Sequence, residues 1–317
     1  MEFENHNQVH VDKELIARLR RTWPKRATVR GDYFNNGICQ DNYQPEKLDY
    51  PTKLLPFWHH PDFARIDDEI KYKVLTWGWL EYNKRTIHAE EKVANPAFEL
   101  LMASRYPGVN DSDIKAVVQQ SLIDEHFHSL MHYTVIEQTR NLRGIDYNID
   151  LPDSITYRLL QKAMSEVSSN WERDTLILIW AIVSEISINA LLDLLAKDKT
   201  IQPNHQMITY YHNRDEFAHA SILIEIAKTI YHNLNKQQRS FFIRYLPKAM
   251  SAFAAQDYTA WEGILNFFKV KNTAGILADT QKLAGNNTLI RNFSGLKKVA
   301  TLLEITDELE FDFNAYN

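Results

Sequence analysis

The pattern D-E-x-x-H occurs twice in this chain, as Asp124-Glu125-His126-Phe127-His128 and again as Asp215-Glu216-Phe217-Ala218-His219. Residues three apart share a face only on a helix, so each copy aims a carboxylate and an imidazole at one point if its segment is helical. On a strand the two would lie on opposite faces and the pairing would be lost. The rest of the sequence agrees with helix: only nine glycines occur in 317 residues, Gly-containing turn dipeptides are few, and apolar residues recur at helical spacing over long stretches. The expected class is all-α, with strands scarce.

The predicted elements follow from breaks in that periodicity. Residues 1–60 carry Pro24, Pro45, Pro51 and Pro56 and the turn-like run RGDYFNNGICQDNYQPEKLDYP, and are expected to form an irregular N-terminal arm wrapped on the body. A first long helix is predicted from about Asp67 towards Ser104, kinked or interrupted near Asn95 because Pro96 follows. After the turn YPGVNDSD a second runs from about Ser112 to Asn141, capped by Asp111 or Ser112. GIDYNIDLPDS crosses over to a helix beginning near Asp153, and further helices are expected at about Trp171–Lys197, Asn204–Asn233 and, in pieces, Lys236–Glu304. No composition shift marks a domain boundary. The expectation is one domain, with a metal-binding bundle over 61–235 and packing helices over 236–317.

Two glutamates on other helices complete a ligand set. Glu185 sits in LILIWAIVSEISINALLDLLA, where the neighbours on its side are apolar or small except Asn189. An unpartnered buried carboxylate costs several kcal/mol, so protonation, an ion pair or metal ligation must relieve it. Of the adjacent pair Glu90 and Glu91, Glu90 shares its face with Asn83, Thr86, Ile87, Val93, Ala94, Ala97 and Leu101, whereas Glu91 is flanked by Lys84, His88 and Asn95. Glu90 is therefore the inward one. His212 precedes Glu216 by four residues and His219 by seven, so all three share a helical face. The expected metal ligands are Glu90, Glu125, His128, Glu185, His212, Glu216 and His219. Two E-x-x-H motifs with glutamates from two further helices reproduce the ligand plan of ferritin-like dimetal bundles. With Cys39 the only cysteine, the ligands are oxygen and nitrogen, a set that suits iron or manganese better than structural zinc. Two irons are the expectation. Asp124 and Asp215, each preceding a ligand glutamate, are expected to hydrogen-bond the imidazole of the opposite motif.

Other residues are set aside. His126 should point away from the cluster, His88 lies off the metal-facing side, and His59 and His60 read as loop residues. His132, four residues beyond His128, is read as a decoy. Trp77, Trp79, Tyr82, Tyr133, Trp180 and Tyr211 read as core, Arg85 and Arg214 as partners of carboxylates on neighbouring helices, and TDELEFDFNAYN as a solvated or lightly docked tail.

From Glu90 to His219 the order and spacing of ligands resemble those of the diiron p-aminobenzoate N-oxygenase (AurF-like) family. That family carries a glutamate on the first helix, E-x-x-H on the second, a glutamate on the third and H-x-x-x-E-x-x-H on the fourth. The third imidazole, His212 here, is the most specific match, because ordinary ferritin-like sites lack it. The resemblance implies a ferritin-like four-helix core with added terminal helices and a seven-ligand diiron centre. It also implies O2 as co-substrate, an external electron donor such as a reductase, a small-molecule amine substrate, and a cytoplasmic, often dimeric enzyme. Oxidation at carbon by the same ligand set, and iron storage without turnover, are the competing expectations.

Composition excludes other classes. A formal net charge of −5 with mixed signs gives no footprint for nucleic acid or an anionic membrane. The N-terminus lacks the pattern of a secretory signal, and the most apolar run, LILIWAIVSEISINA, is shorter than a membrane span and contains Glu185, which leads to the expectation of a soluble protein.

Overall fold

The computed structural model describes residues 10–32, 42–283 and 292–313. Cys39 and the rest of 33–41 in the turn-like run lie outside them. Among the described residues no strand forms, and one isolated parallel bridge joins Leu48 to Ile201. The helices are α1 (Lys13–Arg26), a one-turn α2 (Pro61–Ala64), α3 (Asp68–Ala89), α4 (Asn95–Met102), α5 (Ser112–Leu142), α6 (Ile155–Ser165), α7 (Asn170–Ala196) and α8 (Pro203–Asn233). They continue as α9 (Lys236–Ala254), α10 (Tyr258–Phe267), α11 (Thr273–Lys282) and α12 (Ser294–Leu302). The fold is an all-α, ferritin-like bundle. Its centre is α3 with its continuation, α5, α7 and α8, and α9 covers α7 from outside.

Local chemistry sets these helices. The Asp111 side chain accepts from the Asp113 N–H at 2.7 Å and starts α5, and a reciprocal Ser169–Glu172 capping box starts α7. Pro203, whose missing N–H is no loss in the first turn, opens α8. α7 is long and apolar enough to cross a membrane by length and composition, but 83% of its most apolar window is buried inside the protein. Its apolar surface is consumed by α8 and α9. Gly78 on α3 has a packing reason: a Cβ there would lie 2.9 Å from the Trp261 ring and 3.2 Å from Tyr50.

The break at Pro96 takes an unexpected form. Proline lacks the N–H for one helical bond and crowds the carbonyl a turn earlier. Instead of kinking at Asn95, the chain widens upstream into a π-helical turn, Glu90–Ala94, closed by the Asn95 N–H on the Glu90 carbonyl, and α4 continues directly. Such turns change which way a side chain points without ending the helix. Here the turn begins at Glu90.

A second difference lies in the N-terminal region, which the sequence reading takes as irregular. Residues 13–26 form a helix, capped by Asp12 through the Glu14 and Leu15 N–H groups, and it packs on α5 and α8. Pro24 falls in its last turn, where only one bond is lost. Arg85 also differs from expectation. It donates to the Phe253 and Ala255 carbonyls at the end of α9, while Arg214 donates to the Thr28 hydroxyl among its contacts. Arg85 thus closes a helix terminus. Tyr133 is exposed rather than core, whereas Trp79 and Trp180 are among the largest fully buried side chains.

Glu81 on α3 supplies a stability prediction. Its Oε2 is buried with no hydrogen-bond partner, and burial pushes its carboxyl up to about 7, against the opposing pull of Lys84. A folded pKa above the unfolded one means stability that is full below the unfolded pKa and lost as pH rises through about 7. Glu81→Gln should therefore gain about 2 kcal/mol over the parent above pH ~8 and nothing near pH ~4, read by urea denaturation. A gain that did not change with pH would contradict this origin.

Candidate metal centre

Each of the seven expected ligands reaches the centre of the bundle, and each is at most 3% exposed. The π-turn supplies Glu90, α5 supplies Glu125 and His128, α7 supplies Glu185, and α8 supplies His212, Glu216 and His219. Their donor atoms form three overlapping groups: Glu125, His128, Glu216 and His219; Glu90, His128 and His212; Glu90, Glu125 and Glu185. Within each group the atoms lie within 4.8 Å of one another. Glu216 Oε1 is the common point, 3.1 Å from His219 Nδ1, 3.3 Å from His212 Nε2 and 3.4 Å from His128 Nδ1. Glu90 lies 3.3 Å from His212 Nε2, and Glu185 lies 3.6 Å from His219 Nδ1.

The outward nitrogens of the imidazoles fix which nitrogen faces inward. His128 Nε2 meets Asp215 at 3.4 Å, and His219 Nε2 meets Asp124 at 3.2 Å, so each motif's aspartate serves the other motif's histidine. A carboxylate can only accept, so both Nε2 atoms carry hydrogen and both Nδ1 atoms turn to the centre. His212 is held the other way round, through a chain the sequence reading missed. The Asn83 Nδ2 donates to the Trp79 carbonyl at 2.7 Å, which leaves Asn83 Oδ1 to accept from His132 Nδ1 at 2.6 Å. His132 Nε2 then accepts from His212 Nδ1 at 2.9 Å, and the His212 Nε2 lone pair faces Glu90 and Glu216. His132 is thus part of the site's support, not a decoy. Its i+4 spacing from His128 was the signal, but its partners come from α3 and α8.

The aspartates are held from the N-terminal segment. Trp23 Nε1 donates to both Asp124 oxygens at 2.9 Å, the Thr28 N–H donates to Asp215 at 3.0 Å, and the Arg26 guanidinium approaches Asp215 to 3.9 Å. His126 is exposed, and His88 turns away to accept from the Ser154 N–H. A cavity of about 640 Å³ between Lys47, Tyr72, Trp77, Arg143 and Tyr147 is lined by none of the seven residues.

A family model described as P-aminobenzoate N-oxygenase AurF matches residues 10–304. The chain belongs to the AurF family. A curated member, the 4-aminobenzoate N-oxygenase of Streptomyces thioluteus, is 41% identical over 305 residues, covering 96% of this chain and 90% of that protein. The match begins at α1, so the helix that holds Asp124 lies within the AurF-family region.

The side chains of this AurF-family centre fit a cationic cofactor. Glu125 Oε1, Glu185 Oε2, Glu216 Oε2 and His212 Nε2 are buried with no hydrogen-bond partner, although Glu125 Oε1 lies only 2.6 Å from His219 Nδ1. Buried acceptors crowded together with too few donors are a setting that a bound cation relieves. Electrostatics agree. Burial pushes Glu185 well above the usual carboxylate range, with Glu125 and Glu216 adding to it. Burial does the same to Glu125, reinforced by Glu90 and Glu216 against the pull of His219. For His219 burial works downward but is outweighed by Glu125 and Glu216, which hold the imidazolium well above its ordinary range.

Metal loading must expel these protons, since ligation needs free carboxylates and a free Nδ1. The raised values of Glu125, Glu185 and His219 set the sign: protons compete more as pH falls. Anaerobic Fe(II) titrations should show affinity dropping about tenfold or more per pH unit below neutrality, with proton release on binding. Affinity that stayed level from mildly alkaline to mildly acid pH would refute this.

Proposed function

We propose that this protein is a non-haem diiron N-oxygenase that converts a small arylamine of the 4-aminobenzoate type to its hydroxylamino, nitroso or nitro product. The single observation that carries the reading is the coincidence of the buried seven-residue cluster with family membership along nearly the whole chain. Glu90, Glu125, His128, Glu185, His212, Glu216 and His219 would hold two iron ions, which supply the activation of O2. One oxygen atom goes to the amine nitrogen and the other leaves as water, with two electrons and two protons consumed for the first, hydroxylamine-forming step.

The chain's own part is positioning and exclusion. Asp124, Asp215 and His132 fix the three imidazoles so that each turns one nitrogen inward. Burial of all seven groups keeps bulk water out, so their charges act in a low-dielectric interior. α7 contributes the dry wall: Leu178, Ala181 and Ile182 share the Glu185 face of the helix and are buried. The O2 requirement and an external donor of electrons belong to the same reading.

The test is direct. Iron-loaded protein is given 4-aminobenzoate, 18O2 and a reductant, and products are read by mass spectrometry. Label on nitrogen is the expected result. Label on ring carbon only would favour carbon hydroxylation, and absence of any product together with many irons per chain would favour storage.

A further inference from the structure

We propose that α1 is the docking face for the electron donor, an acidic one-electron carrier protein, and that the Trp23 indole passes its electrons inward; this rests on the diiron reading above. Trp23 is half-buried, so its ring borders the surface while its Nε1–H donates to both oxygens of Asp124 at 2.9 Å. Asp124 accepts from His219 Nε2 at 3.2 Å, and the other nitrogen of His219 faces Glu125 and Glu216. The route from surface to centre is therefore one indole, one carboxylate and one imidazole, joined by two hydrogen bonds. Electronic coupling falls less steeply through bonds and hydrogen bonds than across gaps.

Among the described residues the other two imidazoles connect differently. Behind His128, Asp215 accepts from the Thr28 backbone amide and faces the Arg26 guanidinium at 3.9 Å, and behind His212 the chain through His132 and Asn83 ends on the carbonyl of the fully buried Trp79. The His219 branch leads to an aromatic ring at the surface.

Charge on this helix points to the partner. Arg18, Arg21 and Lys25 are exposed at i, i+3 and i+7 along the outer stripe of α1, on the other side of the helix from Trp23, and at the ring itself the exposed Arg30 guanidinium stands 5.9 Å from the Trp23 centroid. α1 holds six basic residues against one acidic, on a protein whose net charge is −5. A local cationic face on an anionic protein steers and orients a small anionic partner. The electron balance is simple. Two reduced carriers dock in turn, each is oxidised by one electron, and two ferric ions become ferrous. No bond is made or broken, and the Nε1 and Nε2 hydrogens stay in place.

The experiment follows reduction of the centre, not turnover. Iron-loaded, oxidised protein is mixed anaerobically with a reduced plant-type [2Fe–2S] ferredoxin, and loss of the diferric absorption is timed. The rate should saturate with ferredoxin and fall about tenfold as salt rises to ~0.3 M. Arg21→Glu with Lys25→Glu should raise the half-saturating ferredoxin concentration about tenfold and leave the limiting rate alone. Trp23→Phe keeps the ring but not the N–H, and should cut the limiting rate about tenfold with half-saturation unchanged. Iron content and helical circular dichroism accompany each variant. A limiting rate within about twofold of the parent in Trp23→Phe, or unchanged half-saturation after charge reversal, overturns the proposal while the diiron reading stands. A parent protein that takes up no iron overturns both.

Discussion

Glu216→Ala is expected to hold fewer than one iron per chain where the parent holds about two, and to lose N-oxygenation by more than ~1000-fold. The magnitude follows from position. Deleting an outer partner of a metal ligand costs roughly 10–100-fold in affinity or activity. Glu216 is not an outer partner: its Oε1 is the one carboxylate atom within 3.4 Å of an inward nitrogen of His128, His212 and His219 alike. Burial works to raise its carboxyl, yet His219 and His212 hold it well below the usual range, so it stays ionised among the imidazoles. Without it, three imidazoles share one dry site with no common anion. Glu91→Ala is the control, because Glu91 neighbours Glu90 in sequence but is exposed, with the Tyr133 hydroxyl 3.5 Å away. That change should leave iron content intact and move stability by no more than ~0.5 kcal/mol. Iron analysis with quantified product separates the cases, and a Glu216→Ala protein that kept two irons would remove the basis for the ligand set.

The inner cluster was readable because helical spacing is local. E-x-x-H and H-x-x-x-E-x-x-H each encode a shared face within two turns, and Glu90 could be told from Glu91 by its neighbours on the same helix. The layer outside it was readable only where it lay inside the motif, as with Asp124 and Asp215. Trp23, Arg26 and Thr28 reach those aspartates across 101, 189 and 187 positions of sequence, and nothing local announces such a meeting. His132 failed for the same reason: its role depends on Asn83 from α3 and His212 from α8. α1 was missed on different grounds. Its proline count suggested irregularity, yet Asp12 caps it, Ile16 and Leu19 pack inward, and Trp23 reaches Asp124. Pro96 likewise announced a disturbance but not its form, since a π-turn and a kink answer the same missing N–H.

Glu185→Met should make the metal-free protein more stable and the iron-supplied protein less so. Glu185 is 2% exposed on α7, its Oε2 has no hydrogen-bond partner, and burial, then Glu125 and Glu216, push its carboxyl far up. The sign is that of a group whose protonated form is favoured by folding: its contribution is full below the unfolded pKa and is lost as pH rises through the folded one. At neutral pH the metal-free chain therefore carries a buried proton or a buried charge, either of them unfavourable. Methionine has similar length, forms helix well and suits the buried Leu178, Ala181 and Ile182 on the same helical face. Replacing a buried ionic group by an apolar one of like volume commonly gains 1–4 kcal/mol, so about 2 kcal/mol is expected without metal. With iron the order should reverse, because a ligand that binds only the folded state stabilises the parent in proportion to its affinity, and the variant lacks one of the seven proposed donors. Thermal melts of both proteins, with chelator and then with Fe(II) under anaerobic conditions, read the crossing. A Glu185→Met chain that melted below the parent in chelator would show that this carboxyl is held by the protein itself and not kept for a metal.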